Sequence, residues 1–334
     1  MNTHNTSEIM DEQAVQLTDL KSGDILIFDG EENDAISRLI MLFTKSKVSH
    51  SAIFMKEGHE LALADTGPDG INMHLVTSRP NAREVHIRRI CKKGGFDGDF
   101  DRFVDPVIDI VHDYIMQELP YPYLDLVLIA MIVVYKDVTH VSLKQTGVIN
   151  LLKFASAELK KFKDEKLQGG KHSMISSSFV YQCYHDASRN NPDLKIDIKG
   201  DLSNEKGGKR TATLLDLYAQ HAAEYNCTRS FSLENEEPVK ATLQEILDDL
   251  VDWDNRNHIH LLKNDALSNA IEGFLKNLMN TCGVEIKDIR KLIENAKRQQ
   301  AMFITPDDLY CRTTNTVPVG KINLERNGEI FNAP

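Results

Sequence analysis

The stretch VSHSAIFMKEGHELALADTG, residues 48–67, carries the strongest structural signal in the chain. Two runs rich in apolar residues flank a Glu-Gly-His turn at residues 57–59. This pattern is typical of a β-hairpin. The first run opens with His50, and the second ends with Asp65 just before a Thr-Gly-Pro turn. The pattern predicts two antiparallel strands, one bearing His50 and the other bearing Asp65.

On either side of this hairpin, the chain predicts further short strands and one helix. LKSGDILIFDG, residues 20–30, predicts a turn followed by a strand over 25–28. DAISRLIMLFTK, residues 34–45, has apolar residues three and four apart and predicts an amphipathic helix with Asp34 as its N-cap. Additional strands are predicted near 70–76 and over 83–90.

The longest apolar run is LDLVLIAMIVVY, residues 124–135. It is about half to two-thirds of the length that spans a bilayer. A buried core helix is the favoured interpretation, and contact with an acyl chain or a membrane surface is the alternative. No transmembrane segment is predicted.

The 334 residues suggest two domains, at about 150 residues each. After residue 190 the composition turns polar, and long helical patterns follow. We predict a polar N-terminal segment, residues 1–19, an α+β unit formed by residues 20–190 plus 301–325, and a helical insertion over residues 195–300.

Composition argues against several classes of protein. A net charge of −11 argues against nucleic-acid binding through a basic face. Five scattered cysteines without a C-x-x-C pair argue against a disulfide framework or a zinc ribbon. We expect no metal, because His258 and His260 lack further ligands at a suitable spacing. We expect no cofactor either, because no phosphate-binding glycine loop is present. The polar N-terminus lacks a signal-peptide pattern, so we expect a cytoplasmic protein, or an effector exported without a cleaved signal.

Two places in the sequence could support nucleophilic catalysis. A lone histidine such as His50 is most often a hydrogen-bonded core residue, and a catalytic role requires a nucleophile and an orienting partner. The serines at residues 176–178 open a helical pattern, where serines commonly act as caps. A helix N-terminus also favours an anionic nucleophile and offers N–H groups to an oxyanion. Cys183 lies two turns further on and is interpreted as a core cysteine.

Four blocks together resemble a known family. They are GDILIFDG at 23–30, SHSAIFMKEGHELALADTGPDGI at 49–71, SSSFVYQCY at 176–184 and ITPDDL at 304–309. In this order they are similar to the circularly permuted papain-fold hydrolases of the NlpC superfamily, and most similar to the YaeF/YiiX-type permuted amidases. The resemblance implies an α+β fold in which an antiparallel sheet packs on helices. The resemblance does not extend to the helical segment 195–300.

The resemblance aligns Val180 with a valine of the family motif, which places Ser176 at the position of the nucleophilic cysteine. A thiol beside a histidine can ionise near neutral pH, whereas a serine must lose its proton during the attack. Three explanations stay open. A natural cysteine has been replaced by Ser176, or the protein is a pseudoenzyme that binds without cleaving, or Ser176 is itself a working nucleophile.

The same resemblance assigns His50 as the general base. Asp65 is our first choice for the residue that orients the imidazole, and Glu60 is the second. Tyr121 and Tyr123 resemble a segment near the substrate groove, with plain turn aromatics as the alternative.

The resemblance implies a cysteine-type hydrolase or amidase, or an acyltransferase, that forms an acyl-enzyme on a peptide, amide or lipid-type substrate. The alternative is a non-catalytic binding module whose helical insertion recognises a protein partner. Its acidic residues, Asp248, Asp249, Asp252 and Asp254, would suit a basic partner, although a solvated helix face is the default interpretation.

Overall fold

The structure is a computed structural model, and it describes residues 13–67, 70–76, 83–92, 99–116, 124–138, 140–166, 176–199, 213–224, 243–251, 265–281, 283–284, 286 and 288–324. Within some helices only the backbone is described, at residues 124–125, 162–166, 176, 221, 223–224, 243 and 300–302. These residues form an α+β protein with one six-stranded antiparallel sheet, which confirms the predicted fold class at that level.

The sheet contains β1 Ile25–Asp29, β2 Val48–Glu57, β3 Glu60–Gly67, β4 Gly70–Leu75, β5 Arg83–Ile90 and β6 Thr316–Leu324. Its strand order is β4-β3-β2-β1-β5-β6, and each neighbouring pair is antiparallel. The predicted hairpin is β2–β3. Gly58 lies in its turn with φ 63, a left-handed conformation that glycine adopts without steric cost.

Ten helices accompany the sheet in the described part of the chain. They are α1 Ala35–Thr44, α2 Phe100–Ile115, α3 Leu124–Tyr135, α4 Gln145–Lys166, α5 Ser176–Ala187, α6 Leu214–Glu224, α7 Leu243–Leu250, α8 Asp265–Thr281, α9 Ile289–Met302 and α10 Pro306–Cys311. The predicted N-cap of α1 is confirmed, since the Asp34 side chain accepts a hydrogen bond from the Ser37 N–H.

Both faces of the sheet carry buried apolar residues. Alternate side chains along each strand point to opposite faces, so each strand contributes to both. On the first face, Ile25, Ile27 and Ile53 pack in one hydrophobic cluster with residues of α2, α5 and α10. On the second face, Leu26, Phe28, Ala52, Phe54 and Leu63 form another cluster with Leu17, Leu20 and Ile322. The N-terminal segment and β6 therefore contribute to this second face.

The apolar run is the helix α3, and it is a core element as predicted. From residue 126 to residue 135 every side chain is at most 8% exposed. These side chains pack in a third cluster together with residues of α1, α4 and α6–α9. Among the described residues, no helix combines the length and the apolar character needed to cross a bilayer.

The helices of the predicted insertion share this third cluster with helices from the first half of the chain. Leu215, Leu250, Phe274 and Leu292 belong to the same buried cluster as α3. The described helices α6–α9 are thus packed on α1, α3 and α4. The boundaries at residues 195 and 300 stay a prediction about the sequence.

Candidate active site

His50 and Asp65 are brought together by the β2–β3 hairpin. His50 Nε2 lies 2.8 Å from Asp65 Oδ2. The Asp65 side chain is 4% exposed, and the His50 side chain is 21% exposed. A carboxylate that is shielded from water interacts more strongly with an adjacent imidazole than an exposed one would. The pair can therefore orient the His50 ring and stabilise its protonated form.

Strand alternation explains why the two side chains meet. His50 is the register partner of Phe28, and their rings lie 5.6 Å apart on the second face of the sheet. Asp65 lies two residues after Leu63, a member of the cluster on that same face. Because β2 and β3 are adjacent, residues on one face come within contact distance across the hairpin.

The contact also selects a tautomer for His50. An ionised carboxylate only accepts hydrogen bonds, so an ionised Asp65 holds the proton of the neutral ring on Nε2. Nδ1 then carries no proton in the neutral ring, and it is the nitrogen that can take a proton from a nucleophile. This arrangement suits a general base whose second nitrogen is anchored.

A second histidine, His74 on β4, approaches the same carboxylate. Its Nε2 lies 3.4 Å from Asp65 Oδ1, and its side chain is 45% exposed. Leu63 pairs with His74 and Asp65 pairs with Asn72, so His74 is the diagonal neighbour of Asp65 on one face. The sequence analysis missed His74. Counting alternation along β3 and β4 would have placed it on the face of Asp65.

The helix α5 begins at residue 176, as the sequence pattern predicted. The Ser176 side chain lies outside the described residues. Its neighbour Ser177 is buried, and the Ser177 hydroxyl donates a hydrogen bond to the Ile304 carbonyl just before α10. This bond fastens the first turn of α5 to the chain segment that precedes α10.

The body of α5 packs on the first face of the sheet, through Phe179, Val180 and Cys183. His50 lies on the second face. Near the start of β2 the register shifts, so that Asp29 pairs with Val48 after Phe28 pairs with His50. A pairing of residue 176 with His50 therefore requires the two side chains to meet around this irregular end of β2.

The chain has no match among protein-family models or curated protein sequences.

Two other residues considered for the site, Glu60 and Cys183, are not part of this arrangement. Glu60 is exposed at the turn, where it pairs with Glu57 at the opposite end of β2 from His50. Tyr121 and Tyr123 lie outside the described residues. Cys183 is fully buried, as predicted, and burial raises the pKa of its thiol well above the ordinary value. A thiol of this kind is a poor nucleophile.

Asp24 belongs to a buried ion pair and supports the fold. Its carboxylate accepts two hydrogen bonds from Arg89, at 2.7 and 2.6 Å, and one from the Lys21 N–H at 2.8 Å. Burial raises the pKa of the Asp24 carboxyl, and these hydrogen bonds offset part of the rise. The contacts tie the turn before β1 to the strand β5.

Asp29, Glu84 and His86 form a separate cluster in which potential metal-ligating atoms lie within 4.8 Å of one another. Two ammonium groups already neutralise it. Lys47 Nζ lies 3.2 Å from Glu84 and 3.5 Å from Asp29, and Lys321 Nζ lies 3.0 Å from Glu84. The arrangement is that of an ion-pair network, since cationic side chains occupy the positions around the carboxylates.

Proposed function

We propose that this protein is a hydrolase or acyltransferase with a permuted papain-like fold, in which residue 176 attacks an amide or ester carbonyl. The contact between His50 and the buried Asp65 carries the proposal, because catalysis by such a nucleophile requires an oriented base. Tyr121, Tyr123 and Glu60 are not needed for this mechanism.

In the proposed mechanism, His50 Nδ1 accepts the proton of the nucleophile as it attacks the carbonyl carbon. His50 then donates that proton to the leaving amine or alcohol, and an acyl-enzyme remains on residue 176. Asp65 stabilises the intermediate imidazolium through the bond to Nε2. Water or an amine resolves the acyl-enzyme, which makes the protein a hydrolase or an acyltransferase respectively.

The fold supports the proposal in two ways. An antiparallel sheet carries His50 in its second strand, and a helix opens at residue 176 later in the chain. The order in the chain, histidine before nucleophile, agrees with the permuted family that the sequence resembles. The substrate class (peptide, amide or lipid-type) and the location (cytoplasm, or another cell after export) belong to the same proposal.

Ser176 determines how active this chain is expected to be. With a serine hydroxyl in place of a thiol, the attack depends entirely on removal of the proton by His50. A replaced cysteine and a natural pseudoenzyme both predict a chain that binds substrate without turnover. A working serine nucleophile predicts slow turnover that is abolished by His50→Ala.

The test is the rate of alkylation of the thiol introduced by Ser176→Cys, measured against pH with and without His50→Ala. A thiol paired with His50 at a helix N-terminus should react well below the free-thiol pKa of about 8.5. His50→Ala should slow that reaction by about tenfold or more. Peptide mapping by mass spectrometry separates this thiol from the natural ones.

Cys311 provides an internal reference in the same sample. Its pKa is raised to about 12, mainly by desolvation and also by the neighbouring Asp307 carboxylate. Its alkylation should be slow and unaffected by His50→Ala. If the thiol at position 176 is as slow as Cys311, and indifferent to His50, the catalytic assignment is wrong.

For the binding-module alternative, the structure describes two of the four acidic residues, Asp248 and Asp249. Of its acidic residues, Asp249 contacts Lys144 at 3.3 Å and the Thr146 hydroxyl at 3.3 Å. These contacts join α7 to the start of α4, and both side chains of the ion pair remain 42% exposed. Asp252 and Asp254 lie outside the described residues.

A further inference from the structure

We propose that His74 is a positioning residue, which holds the Asp65 carboxylate in the orientation that engages His50. The carboxylate lies between two histidines. Oδ2 is 2.8 Å from His50 Nε2, and Oδ1 is 3.4 Å from His74 Nε2. The role concerns the same site as the proposed function and deepens it.

The physical basis is the rotational freedom of a carboxylate. The terminal torsion of an aspartate is broad, so the plane of the group depends on the contacts made to its two oxygens. A second contact at Oδ1 restricts that rotation and keeps Oδ2 aligned with the His50 ring. His74 can supply this contact because β4 is hydrogen-bonded to β3 along its whole length.

The two histidines differ in exposure, and this assigns their roles. His50 is 21% exposed and His74 is 45% exposed, while Asp65 between them is 4% exposed. His50 is the more shielded and lies in a central part of the sheet, on β2. His74 lies on β4, the outermost strand on that side among the described ones, and acts on His50 only through Asp65.

The experiment uses the full chain labelled with ¹⁵N, and long-range ¹H–¹⁵N spectra report which nitrogen of each histidine ring carries the proton. The spectrum of His50→Ala identifies the His50 signals. His74→Ala removes the contact to Asp65, and His74→Gln restores an N–H donor. His59→Ala is the matched control, since His59 is exposed in the β2–β3 turn.

We expect the His50 ring to be predominantly protonated on Nε2, and His74→Ala to lower that fraction. His74→Gln should restore part of it, and His59→Ala should leave it unchanged. In the Ser176→Cys background, His74→Ala should also slow alkylation by roughly two- to fivefold, the size expected for a half-exposed polar contact. His59→Ala should not.

An unchanged His50 tautomer in a folded His74→Ala protein overturns the positioning role. Folding is checked by melting temperature, and His74→Gln replaces the alanine variant if that variant is unstable.

The outcome for the proposed function is separate. If the tautomer responds to His74 but the thiol at position 176 ignores His50, the positioning role stands and the hydrolase proposal fails. If the thiol depends on His50 and neither readout responds to His74, the hydrolase proposal stands alone.

Discussion

At the scale of single residues, burial separates the two acidic candidates of the β2–β3 hairpin. Asp65 and Glu60 lie on the same strand, and the family resemblance favours Asp65. In the structure Asp65 is buried against His50, whereas Glu60 is exposed at the other end of the hairpin. Only the shielded carboxylate can orient an imidazole with useful strength.

Lys45 is a second residue at which the backbone conformation affects stability. It ends α1 with φ 56 and ψ 35, and its N–H donates to the Met41 carbonyl. Residues other than glycine pay about 1 kcal/mol in this left-handed conformation, because Cβ approaches the backbone carbonyl.

Lys45→Gly should therefore stabilise the protein. We expect the free energy of unfolding in urea to rise by about 0.5–1 kcal/mol, since glycine is the preferred residue at such a helix end. Lys45→Ala is the control, because it removes the same side chain but keeps Cβ. Equal stability of the two variants would show that the left-handed backbone is not the cause.

At the scale of elements, α4 and α7 come unusually close at Gly147. A Cβ placed on Gly147 would lie 2.3 Å from the Asp249 carbonyl oxygen. Around this point, the Lys144 N–H donates to the Leu250 carbonyl, and Leu143 forms a β-bridge with Val251. Glycine in the first turn of α4 thus allows two segments more than 100 residues apart in sequence to be in backbone contact.

Gly147→Ala should destabilise the protein although alanine is the better helix former. The overlap with backbone atoms costs about 1–3 kcal/mol, and the gain in helix propensity in the first turn offsets at most about 1 kcal/mol. Urea unfolding followed by circular dichroism measures the difference. Gly67→Ala, where the new Cβ meets no atom within 4 Å, is the control. A stabilised Gly147→Ala would show that α7 does not pack this closely.

At the scale of the whole molecule, a buried ion pair connects the helical layer to the sheet layer. Lys136 follows α3, and its Nζ lies 2.6 Å from Asp308 Oδ2 in α10. Burial alone would raise the pKa of Asp308, but Lys136 and the hydrogen bonds from Thr305 outweigh it, so the pKa lies below its ordinary value. Asp308 also closes the capping box of α10 with Thr305.

The lowered pKa of Asp308 predicts a pH dependence of stability. A depressed carboxyl pKa contributes stability above the unfolded pKa of about 3.9, and that contribution is lost as the pH falls through the folded pKa. Asp308→Asn should therefore cost about 3 kcal/mol at pH 7, because it leaves Lys136 buried without a charged partner.

The difference in unfolding free energy between parent and Asp308→Asn should shrink as the pH is lowered below about 4. Urea titrations at pH 7 and pH 3 measure it. Asp307→Asn makes the same chemical change one residue earlier, at a half-buried position, and should show a smaller effect at both pH values. A constant deficit for Asp308→Asn across this range would contradict a lowered pKa.

The local pattern of the sequence determined the β2–β3 hairpin, the cap of α1, the burial of α3 and the start of α5. Each follows from the period of apolar residues and from the turn or capping residue next to it. Such signals depend on neighbours within about ten residues, and they remain visible in the chain before it folds.

Only the tertiary structure decided which faces meet. It placed β6 beside β5, packed α6–α9 on α3 in one cluster, and brought His74 to Asp65 and Lys136 to Asp308. The period of a strand or helix shows that one face will be buried, but it does not specify the partner that buries it. That choice depends on the combined packing and charge of residues far apart in the sequence, which act only once the chain is folded.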